Sequence, residues 1–243
     1  MDKATYRDLI YSRYLSIGFQ EMNASDYEKI AKSYELNYGD IITLDFNSKI
    51  LDIGCGMGHF LYYLKKRGYN NFLGIEVGAE QFDYCKKNIT ERVEKVKDTF
   101  EFIASKKNYY DLIVLNDVIE HFNKNDAFKL LETIFLSLKG QGRLIIKTPN
   151  MGNPFGNSSF YIDFTHEIGF SEISLPQILK LIGFKNVLCR DEKIYVSSFL
   201  KRLIFNVLRK IYLAVLRFII LLDRPGGNYP KIFSKNLIVF ADK

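Results

Sequence analysis

The run from Lys49 to Phe60, KILDIGCGMGHF, constrains this chain more than any other stretch. Ile50, Leu51 and Ile53 read as a short buried strand. The strand enters a turn in which Gly54, Gly56 and Gly58 alternate, and a helix follows. Glycine reaches backbone conformations closed to other residues and lets a ligand approach with no Cβ in the way. Asp52 falls at the strand end, where ligands of open α/β sheets collect. The helix behind the turn aims its first amides at the same place. The spacing is an acid followed by G-x-G-x-G, whereas a dinucleotide turn reads G-x-G-x-x-G. On its own the run also fits a tight strand-to-helix turn that binds nothing.

The rest of the chain repeats the strand-and-helix alternation. Phe72 to Glu76 reads as a second strand ending in an acid, and Gly78 to Asn88 as a helix. Val93 to Val96 is a short strand, and Asp98-Thr99 opens a helix through Ile103. Tyr110 to Asn116 is a strongly apolar strand. Ala127 to Leu138 is amphipathic and helical. Gly140-Gln141-Gly142 turns into a strand from Arg143 to Lys147. Such alternation predicts right-handed βαβ units and a parallel sheet. Gly183 to Leu188 and Asn236 to Phe240 read as two further strands. Residues 1–46 read as helical, with a capping signal at Ser25-Asp26-Tyr27-Glu28. Tyr34, Asn37 and Tyr38 then become candidates to face a ligand.

Several side chains stand where chemistry gathers. A carboxylate at the end of the second strand, Glu76, can accept both hydroxyls of a ribose, because two adjacent donors suit a two-oxygen acceptor. Asp98 either caps its helix or accepts an adenine amino group. The segment 148–170, TPNMGNPFGNSSFYIDFTHEIGF, is rich in Gly, Asn, Ser and Pro and reads as a loop at the ligand edge. It carries Tyr161, Asp163, Thr165, His166 and Glu167. The chain has three histidines, His59, His121 and His166. A hydroxyl that attacks an electrophile must lose its proton, and imidazole suits that near neutral pH. His166, with Asp163 nearby to orient it, and His121 are the candidate bases. His59 reads as a local contact. Asn116, Asp117, Asp163 and Glu167 carry enough oxygens for a divalent ion, but no spacing is diagnostic, so no metal is expected.

Three runs carry a resemblance to a known family. DIGCGMG, from Asp52 to Gly58, resembles the first motif of class I S-adenosylmethionine-dependent methyltransferases. YDLIVLNDVIEHF, from Tyr110 to Phe122, resembles the fourth-strand motif of the same superfamily, and LKGQGRLIIKTPN also matches it. The resemblance implies a Rossmann-like α/β fold: a doubly wound, mostly parallel seven-stranded sheet with N-terminal helices and a C-terminal helical insertion. It implies S-adenosyl-L-methionine as cofactor, held by Asp52, Gly54, Cys55, Gly56, Gly58, Glu76, Val77, Asp98, Thr99, Asn116 and Asp117. The run D-x-T-H from Asp163, followed by G-F-S, is similar to methyltransferases of bacterial surface-polysaccharide pathways, capsule and O-antigen among them. That implies O-methylation of a sugar or sugar-linked group, a phosphoramidate decoration included. A quinone or other small-molecule acceptor, a non-catalytic cofactor-binding partner and a nicotinamide dehydrogenase are the alternatives. The G-x-G-x-G spacing disfavours the last.

Composition bounds the remaining classes. At 243 residues the chain holds one α/β domain. We read residues 1–46 as a helical cap and 47–243 as the Rossmann-like domain. Cys55, Cys85 and Cys189 lack metal-ligand spacing, and their odd number argues for a reducing compartment. The N-terminus has no secretory pattern, and no apolar run is long enough to span a bilayer. A cytoplasmic enzyme, monomer or homodimer, is the expectation. The net charge is +6. Lys201, Arg202, Arg209, Lys210, Arg217 and Arg224 face only Asp223 between 197 and 224, so most of that charge is local. A general nucleic-acid surface is therefore a poor reading. The helix at 198–222 reads either as a cap or dimer helix with its apolar stripe buried, or as an interfacial helix resting on anionic lipid.

Overall fold

The computed structural model describes residues 6–18, 23–223 and 230–243. Arg224, counted above among the basic residues, lies outside them.

One seven-stranded sheet organises the molecule: β1 (Ile50–Ile53), β2 (Phe72–Glu76), β3 (Val93–Lys95), β4 (Tyr110–Asn116), β5 (Leu138–Pro149), β6 (Lys185–Asp191) and β7 (Asn236–Asp242). Their order is β3-β2-β1-β4-β5-β7-β6. The first five run parallel, and β7 is antiparallel to both β5 and β6. This is the sheet that the alternation and the resemblance imply.

Both faces of the sheet are covered, which is why its central strands read as unbroken apolar runs. Side chains alternate across each strand. Leu51, Ile53, Ile113, Leu115, Leu144 and Ile146 face one core with α6 (Thr99–Ala104), α7 (Lys124–Ser137) and α9 (Ser174–Ile182). Ile50, Leu112, Val114 and Ile145 face the other, with α3 (Ala24–Tyr38), α4 (His59–Lys66) and α5 (Ala79–Asn88). Two short N-terminal helices, α1 (Tyr6–Ser12) and α2 (Tyr14–Gly18), precede α3. Within the loop, α8 (Gly156–Phe160) is a single short turn of helix.

Several boundaries differ from the sequence reading. The cap of α3 is Asn23, whose side chain accepts from the Asp26 amide while Asp26 closes the reciprocal bond; the acid, not Ser25, completes the box. Strand β5 starts at Leu138, and Gly140 to Gly142 form a bulge in its pairing with β4 instead of the turn before it. The sequence reading placed no helix at α9, whose third residue is Pro176. It lies in the first turn, where a missing N–H costs nothing. Gly183 is the left-handed C-cap of α9, and the strand begins two residues later.

The last helix, α10 (Phe199–Asp223), is inserted between β6 and β7. Its placement goes against a cap helix with its stripe buried on the body, and leaves the dimer helix and the interfacial helix both open. Leu216 is buried, and Phe205, Arg209 and Leu213 on the same side are half-buried. The opposite side carries Leu200, Ile204, Val207, Ile211, Val215 and Phe218, all exposed. The apolar stripe therefore faces away from the body and is not packed beneath a cap. No described helix is long and apolar enough to cross a membrane.

Candidate active site

The carboxyl ends of β1, β2 and β4 open into a cavity of about 540 Å³, the size of a nucleoside-class ligand site. Three elements close it from above. Arg7, Tyr11 and Tyr14 on α1 and α2 form one wall, and Tyr34 of α3 another.

The glycine turn forms the floor. Gly54, Gly56 and Gly58 all have left-handed backbones, with φ of 64°, 54° and 81°. A Cβ on Gly54 would stand 2.7 Å from Val118, and one on Gly58 2.5 Å from the Cys85 sulfur. At Gly56 it would meet only open space, as expected where a ligand approaches the backbone. Of the candidate cofactor residues, Asp52, Gly54, Cys55, Gly56, Glu76, Val77, Asp98, Thr99, Asn116 and Asp117 line the cavity. Gly58 does not; it serves the packing of α4 against α5.

Two carboxylates sit in contrasting surroundings. Glu76 accepts the amides of Gly56 (2.8 Å), Val77 (2.9 Å) and Gly78 (2.8 Å). Burial raises its pKa, and those amides oppose the rise. Asp52 is buried, and its Oδ1 has no donor. Burial, reinforced by the Glu76 charge, pushes it well above the usual carboxylate range. Asn116 accepts the Tyr38 hydroxyl at 2.6 Å, while its Nδ2 is buried without an acceptor. A cofactor carrying an amine, a carboxylate and a ribose diol supplies partners for this set, so the residues fit S-adenosylmethionine. Asp98 caps α6 through the Phe100 and Glu101 amides and lines the cavity as well.

Of the three α3 candidates, Tyr34 alone reaches the cavity. Tyr38 is buried behind Asn116. Asn37 ties α3 to Lys193 through both ends of its amide. Their role is support.

The second cluster lies beside β4 and the 148–170 segment. The Glu120 carbonyl accepts the amides of Glu167 (2.8 Å) and Ile168 (3.2 Å), which pins the loop to the turn after β4. The His121 and His166 rings consequently meet edge to face, 4.7 Å apart. Their tautomers follow from the neighbours. Thr165 gives its one hydroxyl proton to Asp163 Oδ1 (2.6 Å), so at 2.8 Å it accepts from His121 Nδ1–H. The Phe160 carbonyl, 2.6 Å from His166 Nδ1, can only accept. Both Nε2 atoms are thereby left with lone pairs. Asp163 was expected to orient His166; it orients His121 instead, through Thr165, because the loop turns His166 toward Phe160. Tyr14 donates to Asp163 Oδ2 at 2.7 Å and locks the N-terminal helices onto this loop. His121 lines the cavity. Burial, with His166 alongside, lowers its pKa to about 4.

The oxygens first weighed as metal ligands are separately engaged. Asp117 pairs with Lys147 at 2.6 Å, and Glu167 with Tyr6 and Arg7. Burial alone would lower Lys147, but Asp117 and the surrounding Tyr34, Tyr38 and Glu192 hold it charged well above its ordinary range. The sequence reading gave Glu120 no role. It is buried, its Oε2 accepts from Thr148 at 3.1 Å, and its Oε1 has no partner. Burial first, then the Asp117 charge, raises it to about 8. The signal was a carboxylate next to a histidine directly after an apolar strand. Arg7, Tyr11 and Tyr14 were missed as cavity residues because their helices carry no motif.

Comparison with known proteins agrees with this geometry. Residues 22–188 match the family model described as a methyltransferase domain. Phosphoethanolamine N-methyltransferase of Plasmodium falciparum is 23% identical over 201 residues, 81% of this chain and 71% of the relative. A ubiquinone biosynthesis O-methyltransferase of Rickettsia bellii is 31% identical over 124 residues, 50% of this chain and 48% of the relative. The chain spans 41% of phosphoethanolamine N-methyltransferase 1 of Arabidopsis thaliana. A SAM-dependent methyltransferase structure from Archaeoglobus fulgidus superposes with a TM-score of 0.65 at 20% identity, covering 98% of this chain and 100% of that one. Phosphoethanolamine N-methyltransferase 2 of Haemonchus contortus, solved with phosphomonomethylethanolamine and S-adenosylhomocysteine, gives 0.56 at 16% identity, covering 100% and 58%. With its sheet order, glycine turn and strand-end carboxylates alongside these matches, the chain belongs to the class I methyltransferase domain family and is an S-adenosylmethionine-dependent methyltransferase.

Proposed function

We propose that the acceptor is a hydroxyl on a sugar, or on a sugar-linked group, of a bacterial capsule or other surface-polysaccharide precursor. The observation that carries this is the polar cluster of Asp163, Thr165, His121 and His166 at the edge of the cavity. A hydroxyl must be held and must lose its proton as the methyl arrives, and this cluster offers a place for both. Bound S-adenosylmethionine supplies an electrophilic sulfonium methyl group. An acceptor oxygen that attacked this methyl would displace the sulfur as a neutral thioether. The hydroxyl proton leaves toward the imidazoles. The protein contributes alignment and exclusion of water, with α1 and α2 as the cover. The D-x-T-H run at Asp163 supports the sugar acceptor. The named activities of the relatives make a phosphobase or a quinone the competing acceptors.

Turnover with a panel of nucleotide-activated sugars, a quinone precursor and phosphoethanolamine tests the acceptor. His121→Ala and His166→Ala should each lower kcat by roughly 100-fold or more with little change in cofactor KM. Near-normal turnover in both removes the assignment.

We also propose that the enzyme works at the cytoplasmic face of a membrane, resting on anionic lipid through α10. The exposed apolar stripe is flanked by Lys201, Lys210 and Arg217, all exposed, so an apolar surface is ringed by positive charge. That pattern fits an anionic bilayer surface better than it fits a second copy of the same basic helix. At about 1.5 Å per residue the 25-residue helix is roughly 37 Å long. Wild-type protein should co-sediment with vesicles containing anionic lipid, and Ile204→Glu/Ile211→Glu should not. Dimerisation with no vesicle binding would favour the second copy.

A further inference from the structure

We propose that Glu120, His121 and His166 form a site for one divalent first-row transition-metal ion. Among the described residues, these three each offer a ligand atom, and the atoms lie within 4.8 Å of one another. Bonds of about 2.1 Å at tetrahedral angles place donors about 3.4 Å apart, so side-chain adjustment of up to roughly 1.5 Å closes the set.

Four observations point to a cation. The Nδ1–H groups of both histidines are spent on outer partners, the Thr165–Asp163 pair and the Phe160 carbonyl. That is how ligating imidazoles are held, with the second nitrogen left as the donor. One nitrogen of each ring and a Glu120 carboxylate oxygen lie within 4.8 Å of one another, a gathering of donors that suits a cation. The Glu120 Oε1 is buried and unpartnered, while its Oε2 is tied to Thr148, as for an oriented ligand carboxylate. Finally, the turn Ile119–His121 and the loop amides on the Glu120 carbonyl fix all three residues on backbone that is itself hydrogen-bonded.

Two histidines and one carboxylate leave coordination positions open, as in catalytic and not structural metal sites. The proposal rests on the methyltransferase reading for its use. With the ion bound, the histidines act as ligands, and the ion acidifies the acceptor hydroxyl in their place. The hydroxyl proton then passes to solvent. A sugar presenting neighbouring hydroxyls suits such a site.

The test is direct binding to tag-free, EDTA-stripped full-length protein. Calorimetry with Zn²⁺ and Mn²⁺, and the visible spectrum with Co²⁺, report stoichiometry and nitrogen ligation. S-adenosylhomocysteine binding is measured on the same samples. We expect one equivalent of metal, weakened at least tenfold in His166→Ala and in Glu120→Gln, while S-adenosylhomocysteine binds all three proteins alike. His166→Asp, which restores a ligand, should recover part of the affinity. Wild type that takes no metal, or variants that bind it equally, overturns the site and leaves the methyltransferase reading standing. Loss of S-adenosylhomocysteine binding in wild type overturns that reading instead.

Discussion

Glu76 and Asp52 stand about one strand apart and differ in what surrounds them, and the difference sets what each does. Glu76 is held by three backbone amides and remains available to a diol; Asp52 is left without a donor on Oδ1. Removing Glu76 takes away binding that ground and transition states share. Glu76→Ala should therefore raise the S-adenosylhomocysteine Kd by about 10- to 100-fold and leave kcat at saturating cofactor within a few-fold of wild type. Calorimetry and steady-state kinetics check it. His121 makes a second residue-scale prediction. Burial, with His166 alongside, lowers its pKa from 6.5 to about 4. Between those values the unfolded chain binds the proton and the folded one does not, so His121 costs stability as pH falls from about 6.5 toward 4. His121→Asn should reduce the slope of unfolding free energy against pH in that window by up to about 1.4 kcal/mol per pH unit, measured by urea denaturation of metal-free protein. Identical slopes contradict it. The glycines and strand-end acids were legible in the sequence because their spacing is local. The Asp163–Thr165–His121 chain was not, since it joins residues 44 positions apart through a loop whose course is set by tertiary contacts such as those to the Glu120 carbonyl.

At the scale of elements, the strands were readable because a strand buried on both faces must be apolar throughout. Helices that lean on tertiary contacts were harder. No helix was read at α9, and α1 and α2 were read only as part of a helical stretch over residues 1–46. Their position comes from side chains of the distant loop and of α5: Tyr14 to Asp163, Tyr6 to Glu167, and the Leu15 and Ser16 amides to Glu80. Cutting one of these ties should loosen the cover. Tyr14→Phe deletes a hydroxyl–carboxylate bond worth about 1–2 kcal/mol, so cofactor KM should rise by roughly 5- to 30-fold with the fold intact. Faster hydrogen exchange confined to α1 and α2 would accompany it; an unchanged KM would show that the cover does not act on the cavity. The basic helix shows the limit of periodicity in the other direction. Its amphipathic pattern was plain in the sequence, but which face met the body was not. Phe205, Arg209 and Leu216 turn inward and leave the apolar stripe outside.

For the whole molecule, one sheet edge explains the arrangement. The parallel order of β1, β2, β4 and β5 gathers Asp52, Glu76, Asn116 and Lys147 on one rim. The antiparallel β7 carries the chain away from that rim, and the loop after β5 returns with His166. The central claim is that the cavity at this rim takes S-adenosylmethionine through the glycine turn and Glu76. Isothermal titration of purified protein with S-adenosylhomocysteine and, separately, with NAD tests it most directly. The account predicts one saturable site for S-adenosylhomocysteine, weakened at least tenfold in Glu76→Ala, and no heat with NAD. Silence with S-adenosylhomocysteine, or equal affinity in Glu76→Ala, would contradict it.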